Sequence, residues 1–191
     1  MKGIAAIVLA AGSGRRAGQP KLFLMSGLRT FLEKIILTLE AAGVADIVIV
    51  VSTESEERAT ALAGGHQVFV NGRPERGPLS SLRIGIDAVT GRDGYLVWPV
   101  DHPEVTSGTI RALAAAFCDH ANSVIKPRCR GQAGHPVIIT SSLASRVPGE
   151  DVPGGLAALI RSSGTPVTLV DVEDPGVARN INTKDDLAHG R

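Results

Sequence analysis

Aromatic residues are scarce in this sequence of 191 residues, which contains four phenylalanines, one tryptophan and one tyrosine. The phenylalanines (Phe23, Phe31, Phe69 and Phe117) fall within apolar segments, so we expect no stacking platform for single-stranded nucleic acid. An excess of one charge is missing too, because 20 lysines and arginines balance 19 acidic residues. Without a basic field, neither nucleic acid nor a membrane surface is an expected partner.

Cysteines and long apolar runs are the other shortages. Cys118 and Cys129 are the two cysteines and form no C-x-x-C pair, which favours a reduced, cytoplasmic protein. No apolar stretch approaches the ~18 residues that a membrane span needs. The apolar run after Met1 is short and is followed directly by Arg15 and Arg16. We therefore interpret it as a first strand rather than a secretion signal.

Apolar residues nevertheless make up 43% of the chain, enough for a hydrophobic core in one domain spanning residues 1–191. Apolar, β-branched runs predict strands at 4–9, 46–51, 67–70, 94–98, 122–126, 136–139 and 166–171. Helical patterns predict helices at 30–42, 54–63, 79–90, 106–118, 155–163 and 183–189. This alternation is typical of an α/β domain with a mostly parallel sheet. Residues 147–155, rich in proline and glycine, are expected to form a surface loop or lid.

The first predicted strand leads into a glycine-rich, basic loop in residues 9–21 (LAAGSGRRAGQPK). Its glycines let the backbone approach a ligand closely. Arg15, Arg16 and Lys21 add three cations to the backbone N–H groups of the same loop. Together they favour a polyanion, of which a phosphate chain is the obvious candidate.

Two familiar phosphate-binding patterns fit this loop less well. Gly12, Gly14 and Ala17 match the dinucleotide fingerprint G-x-G-x-x-G/A. That motif requires a helix opening inside the loop, where Pro20 would interrupt it, and the acidic residue expected about 20 residues on is missing. A Walker loop is excluded because no Gly-Lys-Ser/Thr occurs here.

Ligands of open α/β sheets gather at the carboxyl ends of strands, and polar residues follow two further predicted strands there. Asn71, Ser80 and Ser81 lie after the third strand and predict a nucleobase or ribose contact, with helix capping by Ser80 as the structural alternative. Asp101 lies between two prolines after the fourth strand. A lone carboxylate there can bind Mg²⁺ together with substrate phosphates, or it can cap a helix or form an ion pair.

Two later segments complete the candidate site. His135 stands between Gly134 and Pro136, in a turn where it can bind an acceptor phosphate or serve as an ordinary turn residue. Asn180 and Asn182 precede the last predicted helix and share one face if the segment is extended. Their amide oxygens are possible Mg²⁺ ligands, and capping of that helix by Asn182 is the alternative.

These segments together resemble the MobA-like nucleotidyltransferases, which include the molybdenum cofactor cytidylyl- and guanylyltransferases. The resemblance covers nearly the whole chain and rests on the loop at 9–21, GPLSSL at 77–82, PVDHP at 99–103, GHP at 134–136 and NINT at 180–183. It implies a single-domain, three-layer α/β/α sandwich, a Rossmann-like fold of the glycosyltransferase-A-like type. It also implies transfer of a nucleotide from a nucleoside triphosphate to a phosphorylated acceptor such as molybdopterin, with Mg²⁺ as cofactor and pyrophosphate as product.

The resemblance also implies roles for particular residues. It assigns catalysis to Arg16, Lys21 and Asp101, and Mg²⁺ binding to Asp101 and Asn182. Nucleotide binding is assigned to Leu9, Ala10, Ala11, Gly12, Ser13, Gly14, Arg15, Arg16, Lys21, Asn71, Ser80 and Ser81. Acceptor binding is assigned to His135, Asn180 and Asn182.

The sequence signals for the preferred nucleotide base conflict. Residues 10–12 (AAG), Asp101 and His135 look like the cytidylyl branch, whereas residues 78–79 and 180–183 look like the guanylyl branch. We expect CTP, with GTP as the alternative, and a monomer or homodimer. A sugar-1-phosphate nucleotidyltransferase and a nucleotide-binding regulator without turnover are the other functions to test. The opening loop is also similar to that of methylerythritol-phosphate cytidylyltransferases.

Overall fold

The computed structural model of the protein describes residues 3–12, 18–181 and 186. Its strands are β1 (Ile4–Ala10), β2 (Met25–Ser26), β3 (Arg29–Thr30), β4 (Asp46–Ser52), β5 (Gln67–Asn71), β6 (Gly94–Pro99), β7 (Val124–Cys129), β8 (Gln132–Ala133), β9 (Val137–Thr140) and β10 (Val167–Asp171). Its helices are α1 (Phe31–Ala41), α2 (Glu56–Leu62), α3 (Pro78–Ala88), α4 (Ser107–Asp119), α5 (Ser141–Ala144) and α6 (Gly155–Ser163). Short 3-10 turns lie at Lys21–Phe23, Thr53–Ser55, Pro74–Arg76 and Pro175–Val177.

The main sheet has the strand order β10-β7-β9-β6-β1-β4-β5, and β8 pairs with β7. Pairs β1–β4, β1–β6, β4–β5 and β7–β10 are parallel. Strand β9 runs antiparallel to both of its neighbours, β6 and β7. The predicted mostly parallel α/β sheet is therefore confirmed, with β9 as the antiparallel insertion.

Helices cover both faces of the sheet because its central strands are apolar on both sides. In β1, Ile4, Ala6 and Val8 pack with α1 and α4, whereas Ala5 and Ile7 pack with α3, α5 and α6. Alternate residues of a strand point to opposite faces, so one continuous apolar run serves two cores. The predicted three-layer sandwich is confirmed.

The local signals at α1 are also confirmed. The Thr30 hydroxyl accepts the Glu33 backbone N–H, and the Glu33 carboxylate accepts the Thr30 N–H, which completes a capping box. Gly43 follows the last residues of α1 with a φ of 82°, a conformation that glycine adopts without strain. None of the helices in the described residues is long and apolar enough to cross a membrane.

Some boundaries differ from the prediction. β7 runs from Val124 to Cys129 rather than over 122–126. The strand continues through Pro127, which a central strand would not tolerate but which here pairs in register with Val170 of the edge strand β10. α3 begins at Pro78 with Gly77 as its N-cap, so Ser80 does not cap it. The hairpin β2–β3 and the short helix α5 were not predicted, and the predicted helix at 183–189 lies outside the described residues apart from residue 186.

Gly85 sets how closely α3 approaches the sheet. A Cβ at this position would lie 2.4 Å from Cγ2 of Ile7 in β1. We expect Gly85→Ala to lower the free energy of unfolding by about 1–2 kcal/mol, because overpacking costs ~1–3 kcal/mol and the better helix propensity of alanine offsets up to ~1 kcal/mol. Urea denaturation measures this change. Gly149→Ala, whose Cβ meets no atom within 4 Å, is the control, and equal stability of both variants would show that α3 can move away.

Candidate active site

A cavity of about 520 Å³ opens where β1 and β6 end at their carboxyl termini. This volume lies within the range typical of small-molecule sites. The residues after β1, the first turn of α3, the residues after β6 and one side of α6 form its walls. The cavity therefore lies at the sheet edge where the carboxyl-end rule predicts a ligand.

Most of the predicted site residues that the structure describes meet in this cavity. Those that line it are Leu9, Ala11, Gly12, Lys21, Ser81, Asp101, His135 and Asn180. Ala10 packs into the core on the opposite face of the sheet, while Asn71 and Ser80 are buried behind the cavity wall. Ser13, Gly14, Arg15, Arg16 and Asn182 lie outside the described residues.

Lys21 and Asp101 form an ion pair at the mouth of the cavity. Lys21 Nζ donates to Asp101 Oδ2 over 3.0 Å, and each side chain is about one-fifth exposed, 21% and 20% respectively. The other carboxylate oxygen, Oδ1, is buried without a hydrogen-bond partner among the described residues. Its distance to Nε2 of His102 is 3.8 Å, too long for a hydrogen bond.

Buried backbone contacts hold both members of this pair in place. Lys21 begins a 3-10 turn that is anchored by the buried side chains of Leu22 and Phe23. Asp101 follows β6, and its carbonyl accepts the Ile181 N–H over 2.8 Å. This bond lies next to Asn180, which lines the cavity.

Two histidines lie deeper beside the ion pair. The rings of His102 and His135 are 5.1 Å apart. Burial lowers the pKa of His102, and burial, with the nearby charges of His102 and Lys126, lowers the pKa of His135 to about 4. Both imidazoles are therefore neutral at pH 7 and can each donate or accept a hydrogen bond.

The turn that carries His135 leaves no space for a side chain at Gly134. A Cβ there would lie 1.8 Å from the carbonyl oxygen of Val177. That same carbonyl accepts the His135 N–H over 2.9 Å. Gly134 thus allows the chain to come close enough to the 175–177 turn to direct His135 towards the cavity.

Asn71 organises the start of α3. Its side-chain amide donates to the hydroxyls of Ser80 and Ser81 over 2.8 and 2.9 Å, and its carbonyl oxygen accepts the Arg73 N–H. The Ser80 hydroxyl in turn donates to the Gly77 carbonyl. This hydroxyl therefore both donates and accepts a hydrogen bond within the protein. Ser81 is the serine that reaches the cavity, while Asn71 and Ser80 shape the wall behind it.

Lining features that the sequence reasoning missed include residues of β7 and of α6. Lys126 of β7 lies at the far end of the cavity, and Leu156, Ala157 and Ile160 form an apolar wall on α6. The 147–155 loop that leads into α6 docks on the turn before α3, since the Asp151 N–H donates to the Arg76 carbonyl over 2.7 Å. A lysine within an apolar strand is unusual, and this was the one available signal for Lys126.

Comparison with known proteins gives a family match and several relatives. A family model described as the MobA-like NTP transferase domain matches residues 6–167. A curated relative from Bacillus cytotoxicus, named probable molybdenum cofactor guanylyltransferase, is 29% identical over 129 residues, covering 65% of this chain and 62% of the relative. The chain thus spans less than two thirds of the length of that relative.

Solved structures cover the chain more fully. Rv0371c from Mycobacterium tuberculosis H37Rv is 26% identical with a TM-score of 0.85, covering 98% of this chain and 96% of its own. A nucleotidyl transferase from Methanothermobacter is 28% identical with a TM-score of 0.77, covering 97% and 94% of the two chains. The fold and the arrangement of strands around the cavity are therefore shared with these proteins.

Proposed function

Because the chain belongs to the MobA-like NTP transferase family, we propose that it transfers a nucleoside monophosphate from a nucleoside triphosphate to a phosphorylated acceptor and releases pyrophosphate. The observation that carries this proposal is the Lys21–Asp101 pair at the mouth of a cavity lined by the glycine-rich loop. The pair offers a cation for phosphate oxygens and a carboxylate for a metal ion at the same point. Molybdopterin is the acceptor we propose, in keeping with the name of the curated relative.

The proposed reaction requires the protein mainly to neutralise charge and to position the two substrates. The second pKa of a phosphate monoester is about 6, so the acceptor is already a nucleophile at neutral pH and needs no general base. Lys21, and Arg16 by the family resemblance, would neutralise the charge that develops on the departing pyrophosphate. The residues of the cavity walls would hold the two substrates for in-line attack.

The donor atoms at Asp101 fit a divalent metal ion. Carboxylate Oδ1 is buried and without a hydrogen-bond partner among the described residues. No group of three or more His, Cys, Asp and Glu side chains suited to a metal is found there, but Mg²⁺ sites commonly use one or two carboxylates and complete the shell with substrate phosphates and water. We propose Asp101 as the protein ligand, with Asn182 as a second. When bound, Mg²⁺ would supply charge neutralisation for the phosphates.

We propose CTP as the preferred nucleotide, and GTP is the second candidate because the curated relative is named a guanylyltransferase. Ala11 supports CTP: this residue is buried and lines the cavity at a position where the guanylyl pattern has glycine. The methyl group of Ala11 narrows this part of the cavity, which suits the smaller pyrimidine base.

The expected result is a kcat/KM for CTP at least about 10-fold above that for GTP, since differences of one or two small groups in a pocket change discrimination by about 10- to 200-fold. Ala11→Gly should reduce this preference. Pyrophosphate release with molybdopterin as acceptor measures both values. A higher kcat/KM for GTP would reverse the nucleotide assignment and leave the transfer reaction intact.

The same screen separates the remaining functions. Pyrophosphate release with a sugar 1-phosphate, and not with molybdopterin, would identify a sugar nucleotidyltransferase. Binding of CTP or GTP without pyrophosphate release for any acceptor would favour a nucleotide-binding regulator. Release that requires both a nucleoside triphosphate and molybdopterin is the outcome we expect.

A further inference from the structure

Lys126 occupies a position that is apolar in the neighbouring strands. Ile125 pairs with Ile138 in the antiparallel ladder of β7 and β9, which sets Lys126 opposite Val137. Val137 pairs with Val97 of β6, and Val97 pairs with Ile7 of β1. These three partners are buried in the core on the face covered by α3 and α6. Lys126 therefore continues an apolar row with a cation, at the point where the row reaches the cavity.

Lys126 carries its charge at a half-buried position beside the cavity. Among residues 3–12, 18–181 and 186, no carboxylate lies within ion-pair distance of its ammonium group. The side chain is half-buried, and lysines in such places usually have an anionic partner or keep their ammonium in water. Lys126 lines the cavity, which therefore offers space for an anionic partner.

The cavity has two ends that differ in chemistry. Leu9, Ala11, Gly12 and the first turn of α3 form one end, over β1 and β4. Lys126, His135 and the apolar Val137 form the other, over β9 and β7, and the α6 wall of Leu156, Ala157 and Ile160 lines the same cavity. The Lys21–Asp101 pair stands between them after β6. A transfer reaction needs two anionic substrates to meet, and the second end offers a cation beside an apolar surface.

We propose that Lys126, together with His135, binds the phosphate group of the acceptor, and that the α6 wall contacts the apolar portion beside this phosphate. This inference rests on the proposed function and specifies the acceptor as a phosphate monoester with an apolar portion beside the phosphate. Nδ1 of His135 is buried without a hydrogen-bond partner among the described residues and is a second polar contact at this end.

The placement is compatible with the reaction. β7 lies two strands from β6, or about 10 Å, a gap that a lysine side chain and a phosphate group can fill together. A phosphate oxygen held there attacks the α-phosphorus of the nucleotide. The new oxygen–phosphorus bond forms as the bond to the β-phosphate breaks, and pyrophosphate leaves with that electron pair. The deprotonated acceptor has no proton to give up.

The test compares Lys126→Met, Lys126→Arg and Arg128→Met in pyrophosphate release with molybdopterin. We expect Lys126→Met to raise the KM for the acceptor about 10- to 100-fold, the effect of one hydrogen bond to a charged group, with the KM for the nucleotide changed less than about 2-fold. Lys126→Arg should recover most of the loss. Arg128 lies two residues along β7, outside the cavity and paired with Asp171, so Arg128→Met controls for the loss of a cation from this strand.

A binding measurement separates this inference from the proposed function. Inorganic phosphate is titrated into each protein with non-hydrolysable CTP and GTP analogues present at saturation, and we expect about 10-fold weaker phosphate binding in Lys126→Met only. Absence of pyrophosphate release from the unmodified protein, with this difference in phosphate binding retained, would overturn the transfer reaction and support the anion subsite. Equal phosphate binding by the unmodified protein and Lys126→Met, or a KM change confined to the nucleotide, would overturn the subsite.

Discussion

Replacing Lys21 with methionine is expected to lower kcat about 100-fold, or ~3 kcal/mol in transition-state stabilisation, the usual effect of losing one preorganised charged contact to developing charge. Lys21 is held at the cavity mouth by the 3-10 turn whose Leu22 and Phe23 are buried. Its ammonium therefore does not have to be ordered when the substrate arrives. Methionine keeps most of the length of the side chain and removes the charge. Steady-state pyrophosphate release measures the change.

Lys34→Met is the matched control for this experiment. Lys34 Nζ pairs with Glu104 over 2.8 Å, and the two side chains are 28% and 29% exposed, so the pair resembles Lys21–Asp101 but lies outside the cavity lining. We expect its kcat to stay within about 2-fold of the unmodified protein, because the pair does not line the cavity in which the phosphates would bind. Removing the Lys21 ammonium also removes a cation that competes with Mg²⁺ for the Asp101 carboxylate. The affinity for Mg²⁺ measured without nucleotide should therefore not fall. Equal kcat for Lys21→Met and the unmodified protein would mean that Lys21 does not contact the reacting phosphates.

The parts of the site that local sequence signals predict are those carried by single loops. Gly12, Lys21 and Asp101 each follow a recognisable apolar strand, and the carboxyl-end rule brings such positions to one sheet edge. The structure places all three on one cavity. Similarly, Thr30 and Glu33 stand three residues apart, and their capping box needs no distant partner.

Features that depend on pairing between distant strands could not be predicted in this way. The position of Lys126 follows from the antiparallel insertion of β9 between β6 and β7, which no pattern within residues 124–129 indicates. The same holds for Asn71, whose amide binds the Ser80 and Ser81 hydroxyls across a nine- or ten-residue separation. The sequence does not reveal that both hydroxyls accept from Asn71, or that Ser81 is the one of the two serines that lines the cavity.

Asp101→Asn should separate a metal-binding role of Asp101 from a structural one. Asparagine keeps the size of the side chain and an oxygen, but it removes the negative charge that makes a carboxylate a good Mg²⁺ ligand. We expect kcat with Mg²⁺ to fall by about 10²- to 10³-fold, since metal stabilisation of transition-state charge amounts to several kcal/mol. Nucleotide affinity measured by calorimetry in the presence of Mg²⁺ should fall with it.

Without Mg²⁺ we do not expect Asp101→Asn to weaken nucleotide binding. Comparing nucleotide affinity with and without Mg²⁺ therefore decides between a metal-binding and a structural role of Asp101. The Asp101 carboxylate is bound to Lys21 at 3.0 Å, so its negative charge lies where the anionic phosphates would bind. Removing that charge should leave metal-free nucleotide affinity unchanged or make it tighter. Glu104→Gln, which alters a carboxylate three residues away that is held by Lys34 and Ser26, should change neither affinity. If the Asp101 side chain served only to hold Lys21 and its 3-10 turn in place, its substitution would weaken nucleotide binding equally with and without Mg²⁺.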